Sequence, residues 1–172
     1  MELNGKKVLI PIGPLYQDLE VWYPKLRLTE AGADVTCAGI GDKTYYGKNG
    51  YPIDVDLQIE ECSAADFDAV IIPGGWAPDK IRLNKHAVDL VRTMNNEGKV
   101  VAAICHAGWV LVSAGILEGK KATSYIAIKD DMIAAGTDWT DSEVVVDGNL
   151  ITSRKPEDLP AFCREIIKQL SS

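Results

Sequence analysis

Histidine and cysteine are scarce. Among 172 residues there are two histidines, His86 and His106, and four cysteines, Cys37, Cys62, Cys105 and Cys163. The cysteines are scattered and no Cys-x-x-Cys pair occurs, which favours reduced thiols over a disulfide framework or a zinc centre. No metal site is expected. Basic residues are in the minority: 18 Lys and Arg against 25 Asp and Glu leave a net charge of -7. An acidic surface repels phosphate, so nucleic acid and anionic membranes are poor partners. The first residues lack the pattern of a secretory signal, a basic start followed by an apolar stretch, so a cytoplasmic location is expected. One long apolar run exists, Val100 to Leu117. His106 near its centre and its interrupting glycines argue against a membrane span. No repeat, low-complexity stretch or linker is visible, so residues 1–172 read as one domain.

What is there alternates. Lys7 to Ile12 reads as a buried strand, and Leu19, Trp22, Tyr23 and Leu26 recur at helical spacing before Gly32. Asp34 to Gly39 is the next strand, and Tyr45 to Val55 a small hairpin turning at Gly47 and Gly50. Asp68 to Ile72 is a third buried strand, ending in Pro73-Gly74-Gly75. Ala87, Val88, Leu90, Val91 and Met94 predict a helix closed by Gly98. Val100 to Ile104 is a fourth strand, and Ala107 to Ala114 a helix stopped at Gly115. Val144 to Ile151 reads as a hairpin with a type I′ turn at Asp147-Gly148. Leu159, Phe162, Cys163, Ile166, Ile167 and Leu170 mark a last docked helix, with Pro160 obscuring its start. Strand and helix in alternation predict an α/β, flavodoxin-like three-layer sandwich with a mainly parallel sheet. Sites in such sheets lie beyond the carboxyl ends of the strands, which gathers Pro14–Glu20, Gly74–Asp79 and Cys105–Trp109.

Ala102-Ala-Ile-Cys105-His106-Ala-Gly-Trp109 is the most informative stretch. A buried strand runs into a helix with no room for a loop, so Cys105 sits on a strained elbow and faces the crevice. The helix start should depress its pKa and make it a nucleophile. Cys37, Cys62 and Cys163 read as small core side chains. His86 reads as solvated, leaving His106 as the base beside Cys105. No later histidine exists, which disfavours ammonia transfer from glutamine. A Cys–His pair needs a third group, and Asp79 is the natural choice. The N–H groups of Gly75 and His106 are candidate oxyanion donors, with Gly74 allowing close approach. Gly13 to Gln17 lacks the hydroxyl residues of a flavin phosphate loop, and no cofactor is expected.

At these residues the chain resembles the PfpI family, within the class I glutamine amidotransferase-like superfamily. The resemblance spans nearly the whole chain. It rests on Pro73-Gly-Gly-Trp-Ala-Pro-Asp79, Arg82-Leu-Asn84, Ala103-Ile-Cys-His106, Thr123-Ser-Tyr125, Lys129-Asp-Asp-Met-Ile133, Glu143-Val-Val-Val-Asp147 and Thr152-Ser-Arg154. It implies Cys105 and His106 as nucleophile and base, Gly75 and His106 as oxyanion donors, and Tyr125 near the site. It also implies a triad acid at Asp79 supplied from a neighbouring subunit, in homo-oligomers of dimers or hexamers. The family is credited with peptidase, glyoxalase III-like, deglycase and chaperone activities.

Two departures stand out. The family's first loop usually reads aromatic-Glu-Asp-x-Glu, its first Glu touching the nucleophile. Here Tyr16-Gln17-Asp18-Leu19-Glu20 puts an amide at Gln17, which cannot shuttle a proton. Weak glyoxalase-type activity is therefore expected. The triad acid is usually Glu, and Asp79 is one methylene shorter. The leading expectation is cysteine-dependent hydrolysis of a peptide or other acyl substrate. The alternatives are α-oxoaldehyde or glycation-adduct chemistry, and a thiol-based stress sensor or chaperone.

Overall fold

The computed structural model describes residues 1–172. In chain order the strands are β1 (Lys7–Ile12), β2 (Asp34–Gly39), β3 (Thr44–Tyr46), β4 (Pro52–Asp54), β5 (Leu57–Gln58), β6 (Ala69–Ile72), β7 (Val100–Ile104), β8 (Lys121–Ala122), β9 (Asp138–Trp139), β10 (Val145–Asp147) and β11 (Leu150–Ser153). The helices are α1 (Asp18–Glu30), α2 (Ala77–Ile81), α3 (Lys85–Asn96), α4 (Gly108–Ala114), α5 (Lys129–Ala134) and α6 (Leu159–Leu170). The main sheet has the order β10-β11-β7-β6-β1-β2-β5, parallel except for the β10–β11 hairpin. The flavodoxin-like sandwich is thus confirmed. α1 and α6 cover one face, and α2, α3 and α4 the other, with α5 packed on α4.

The central strands explain themselves. Every residue of β6 and β7 is buried, as a strand covered on both faces requires. The chain leaves β1 toward β2 on one side and β6 on the other. Their order therefore reverses at β1, and a crevice opens at the carboxyl ends of β1, β6 and β7. The long apolar run Val100–Leu117 divides into β7, a 3-10 turn at Cys105–Ala107, and α4. No helix is long and apolar enough to cross a membrane.

Three expectations need correction. Most of the periodic apolar set on α1 faces outward, Leu19 being 57% and Leu26 61% exposed, while Trp22 packs half-buried against the core. The inward face is Asp18, Glu20, Val21, Pro24 and Leu28, because two carboxylates are drawn in to serve neighbouring loops. The last hairpin turns at Gly148-Asn149, since Asp147 pairs with Leu150. Only Gly148 has a positive φ there, so the turn is not type I′. Finally, α6 starts at Leu159 after a 3-10 turn at Pro156–Asp158, which places Pro160 in the first turn, where its missing N–H costs nothing. The Thr44–Asp54 hairpin and the α3 and α4 segments form where the pattern placed them.

Candidate active site

β7 arrives extended at Ile104, and Cys105 follows with φ +62. Only one other non-glycine residue has a positive φ, Leu15 at +54. Left-handed backbone costs an L-residue about 1–2 kcal/mol, so two such residues mark a region held by its surroundings. They flank one crevice. The Leu15 carbonyl accepts from the Trp76 N–H at 2.9 Å, and Tyr16 bridges to Gly75. Gly75 itself has φ +76, and a Cβ there would strike the backbone of Leu15, Tyr16 and Gln17. Gly74 is equally constrained: a Cβ would lie 2.7 Å from Cys105 Cβ and collide with the Glu20 carboxylate. The sequence thus needs both glycines to bring the β6 loop against the elbow.

The Cys105 side chain opens on a cavity of about 190 Å³. Gln17, Glu20 and Lys48 form one wall, and Gly75 and Trp76 a second. His106, Trp109, Tyr125, Lys155 and Pro156 complete it. A larger groove of about 490 Å³ lies beside Lys43, Asp54, Asp56 and Glu61, but no nucleophile reaches it. The His106 Nδ1 stands 3.1 Å from Cys105 Sγ. Its ring stacks on Tyr125 at 4.8 Å and meets Trp109 edge-on at 5.4 Å. Burial, and then the charge of Lys48, hold the His106 pKa below its usual value, so the imidazole is neutral and able to accept a proton.

The expected low-pKa thiolate is not what the structure shows. Burial, and then the Glu20 carboxylate, push the Cys105 thiol up to about 12. The N–H groups of His106 and Gly75, and the charge of Lys48, oppose that rise. α4 has only seven residues and joins β7 through a 3-10 turn, so its dipole is too weak to overcome desolvation. Those two N–H groups still aim at the sulfur, the placement expected of oxyanion donors.

Glu20, expected only to line the site, holds the place beside the nucleophile that the sequence reading gave to Gln17. It is fully buried. Its Oε2 accepts the Gly74 N–H at 2.8 Å, and its Oε1 has no protein partner. Burial raises its pKa to about 7, while Gly74, Lys48 and Cys105 pull it back down. The carboxyl beside the nucleophile is therefore Glu20. Gln17 instead caps α1, its Oε1 accepting the Leu19 N–H at 3.3 Å. The signal was the spacing: a residue three past the cap of an inward-facing helix turn points where Glu20 points.

Asp79 is not brought to His106 within the chain. It sits on α2, 58% exposed, 3.6 Å from Lys80. Lys48 and Lys155 were not foreseen. They come from the β3–β4 turn and the loop after β11, and no local pattern marks either. His86 is exposed and its Nε2 lies 2.9 Å from the Cys62 carbonyl, remote from the cavity. Cys37, Cys62 and Cys163 are buried structural thiols, as expected.

A flavodoxin-like sheet with a strained cysteine elbow at its switch point, a histidine next in sequence and a buried carboxyl opposite defines a class of cysteine-centred α/β proteins. The chain belongs to the DJ-1/PfpI family, whose model matches residues 6–169. It is 49% identical over 164 residues to the protein named deglycase PfpI of Pyrococcus furiosus, covering 95% of this chain and 99% of that one. It is 39% identical over 171 residues to protein/nucleic acid deglycase 2 of Escherichia coli, covering 98% and 99%. Among solved structures, Drosophila melanogaster DJ-1beta superposes with TM-score 0.90 at 32% identity, covering 96% of this chain and 90% of that one. The names of these relatives point to an enzyme of this family.

Proposed function

We propose that the protein is a thiol-dependent enzyme acting on small α-oxoaldehydes and the early adducts they form with amines and thiols, in line with the relatives named deglycases. One observation carries the reading: a buried carboxyl with a pKa of about 7 stands beside the sulfur of Cys105. Such a group takes and returns protons at neutral pH. The cavity of about 190 Å³ also suits a substrate of few atoms better than a peptide chain.

Cys105 Sγ adds to the aldehyde carbon, forming a C–S bond as its proton leaves to Glu20 or to His106 Nδ1. The carbonyl oxygen becomes an oxyanion facing the N–H groups of Gly75 and His106, and then takes a proton. Glu20 as carboxylate removes the hydrogen from the former aldehyde carbon, and the neighbouring carbonyl collapses to an enediol. Reprotonation at the second carbon gives a thioester of a 2-hydroxy acid. Water cleaves the C–S bond, releasing the acid and restoring the thiol. The sum is addition of one water with an internal redox exchange, so no external oxidant or cofactor is required. For an amine-borne adduct the amine leaves as the C–S bond forms.

Peptide or ester hydrolysis by Cys105 is the second reading. It uses the same sulfur and N–H donors but requires an oriented imidazole, and Asp79 does not supply that within one chain. The test is turnover of methylglyoxal to lactate by wild type, Cys105→Ala and Glu20→Gln. Loss in both variants supports the proposal. Full activity in Glu20→Gln, or no lactate from wild type alongside ester hydrolysis, overturns it.

A further inference from the structure

We propose that Lys48 and Lys155 form an anion-selecting rim over Cys105, so that the preferred substrates are small carbonyl compounds carrying a carboxylate or phosphate group. The inference rests on the reading of Cys105 as a nucleophile toward carbonyls. The cavity is lined by two cations and one acid, Glu20, which is largely neutral below pH 7. This runs against the whole chain, whose net charge is -7. A local positive mouth on an acidic protein does not follow from composition, and low-dielectric walls focus its field.

Both lysines are held in place through their neighbours rather than by a counter-ion. Neither makes an ion pair. Next to Lys48, the buried Asp18 carboxylate accepts the N–H groups of Asn49 and Tyr51, each at 3.0 Å. The Lys48 N–H itself donates to the Tyr16 carbonyl at 2.8 Å. Next to Lys155, the buried Asp158 carboxylate accepts the Arg154 N–H at 3.1 Å and its Nε at 2.9 Å. Two buried carboxylates thus fix the backbones that present two free ammonium groups. Glu157 is the nearby acid that opposes them. It is exposed and does not line the cavity. Trp76, Trp109 and Tyr125 wall the remaining mouth with aromatic rings that carry no opposing charge. An anionic end group on the substrate would meet the lysines while its carbonyl meets the sulfur.

The test compares alkylation of Cys105 by iodoacetate and by iodoacetamide, near-isosteric reagents that differ in charge. Wild type should show a higher iodoacetate-to-iodoacetamide rate ratio than Lys48→Gln or Lys155→Gln. Each exchange should lower the ratio roughly three- to tenfold, the size of one partly screened charge pair. The double variant should lower it further, and added salt should erode the wild-type preference. Both lysines are exposed, so the fold is not threatened. A ratio unchanged in the double variant overturns the inference and leaves the nucleophile standing. Should Cys105 be inert to both reagents, the functional reading fails, and the rim is judged on Cys105→Ala. Acetate and inorganic phosphate are then titrated separately against the His106 ring resonances. Saturable shifts lost in the double lysine variant support the rim, and show which oxyanion it takes. No saturable shift with either overturns it.

Discussion

Glu20→Gln separates two properties that usually move together, the reactivity of the sulfur and turnover. The exchange is isosteric, and the side-chain oxygen can still accept the Gly74 N–H. The wild-type carboxylate raises the Cys105 thiol pKa, so its removal lowers that pKa and alkylation at pH 8 should quicken several-fold. The amide cannot cycle a proton, so turnover of methylglyoxal should fall about 10²- to 10⁴-fold. Stability moves as well. A pKa raised from 4.5 to about 7 means that the folded state disfavours the charged carboxylate. That cost is absent below pH 4.5, grows as pH rises toward 7, and is complete above it. At about 1.4 kcal/mol per pH unit it reaches about 3 kcal/mol as an upper bound. Glu20→Gln should therefore match wild type in denaturant titrations near pH 4 and exceed it near pH 8. A variant less stable at pH 8, with a slower thiol and retained turnover, would refute the reasoning on all three counts.

Other variants probe the rest of the site. Cys105→Ala should remove turnover entirely while leaving thermal stability within about 1 kcal/mol, because alanine meets the same backbone strain; calorimetry and a lactate assay read both. Gly74→Ala forces a Cβ against Cys105 and Glu20, and should cost about 1–3 kcal/mol in urea titrations together with most activity. Tyr125→Ala removes the ring stacked on His106 and should lower kcat several-fold, whereas Tyr125→Phe keeps it. Asp158→Asn breaks the paired contact to Arg154 and should cost about 2–3 kcal/mol, at the low end for a buried pair because Arg154 is 26% exposed.

Cys105 was legible because its signal is local: five apolar strand residues run straight into a helix, leaving the junction residue nowhere to go but the strained elbow. The sheet was legible for the same reason, since β1, β6 and β7 each carry a contiguous apolar run. The α1 face was not. Its apolar residues divide between two stripes, Leu19 and Leu26 outward and Val21 and Leu28 inward beside the carboxyls, and periodicity alone does not say which stripe turns inward. Gln17 was given the place beside the nucleophile that Glu20 holds, because a linear motif carries no direction until the helix cap fixes it. The ionisation of Cys105 was misjudged because a helix start is visible in sequence and desolvation is not. Lys48 and Lys155 lie over a hundred residues apart, and only the fold places them on one mouth. α2 and α5, with five and six residues, are too short to show a period.

The account turns on a carboxyl that carries its proton beside the sulfur at neutral pH. Infrared difference spectra of wild type against Glu20→Gln, taken across pH 5 to 9, address this directly. A protonated-carboxyl C=O band that titrates near pH 7 in wild type and is missing from the variant is the predicted result. Spectra in which that carboxyl is already ionised at pH 5 would contradict it.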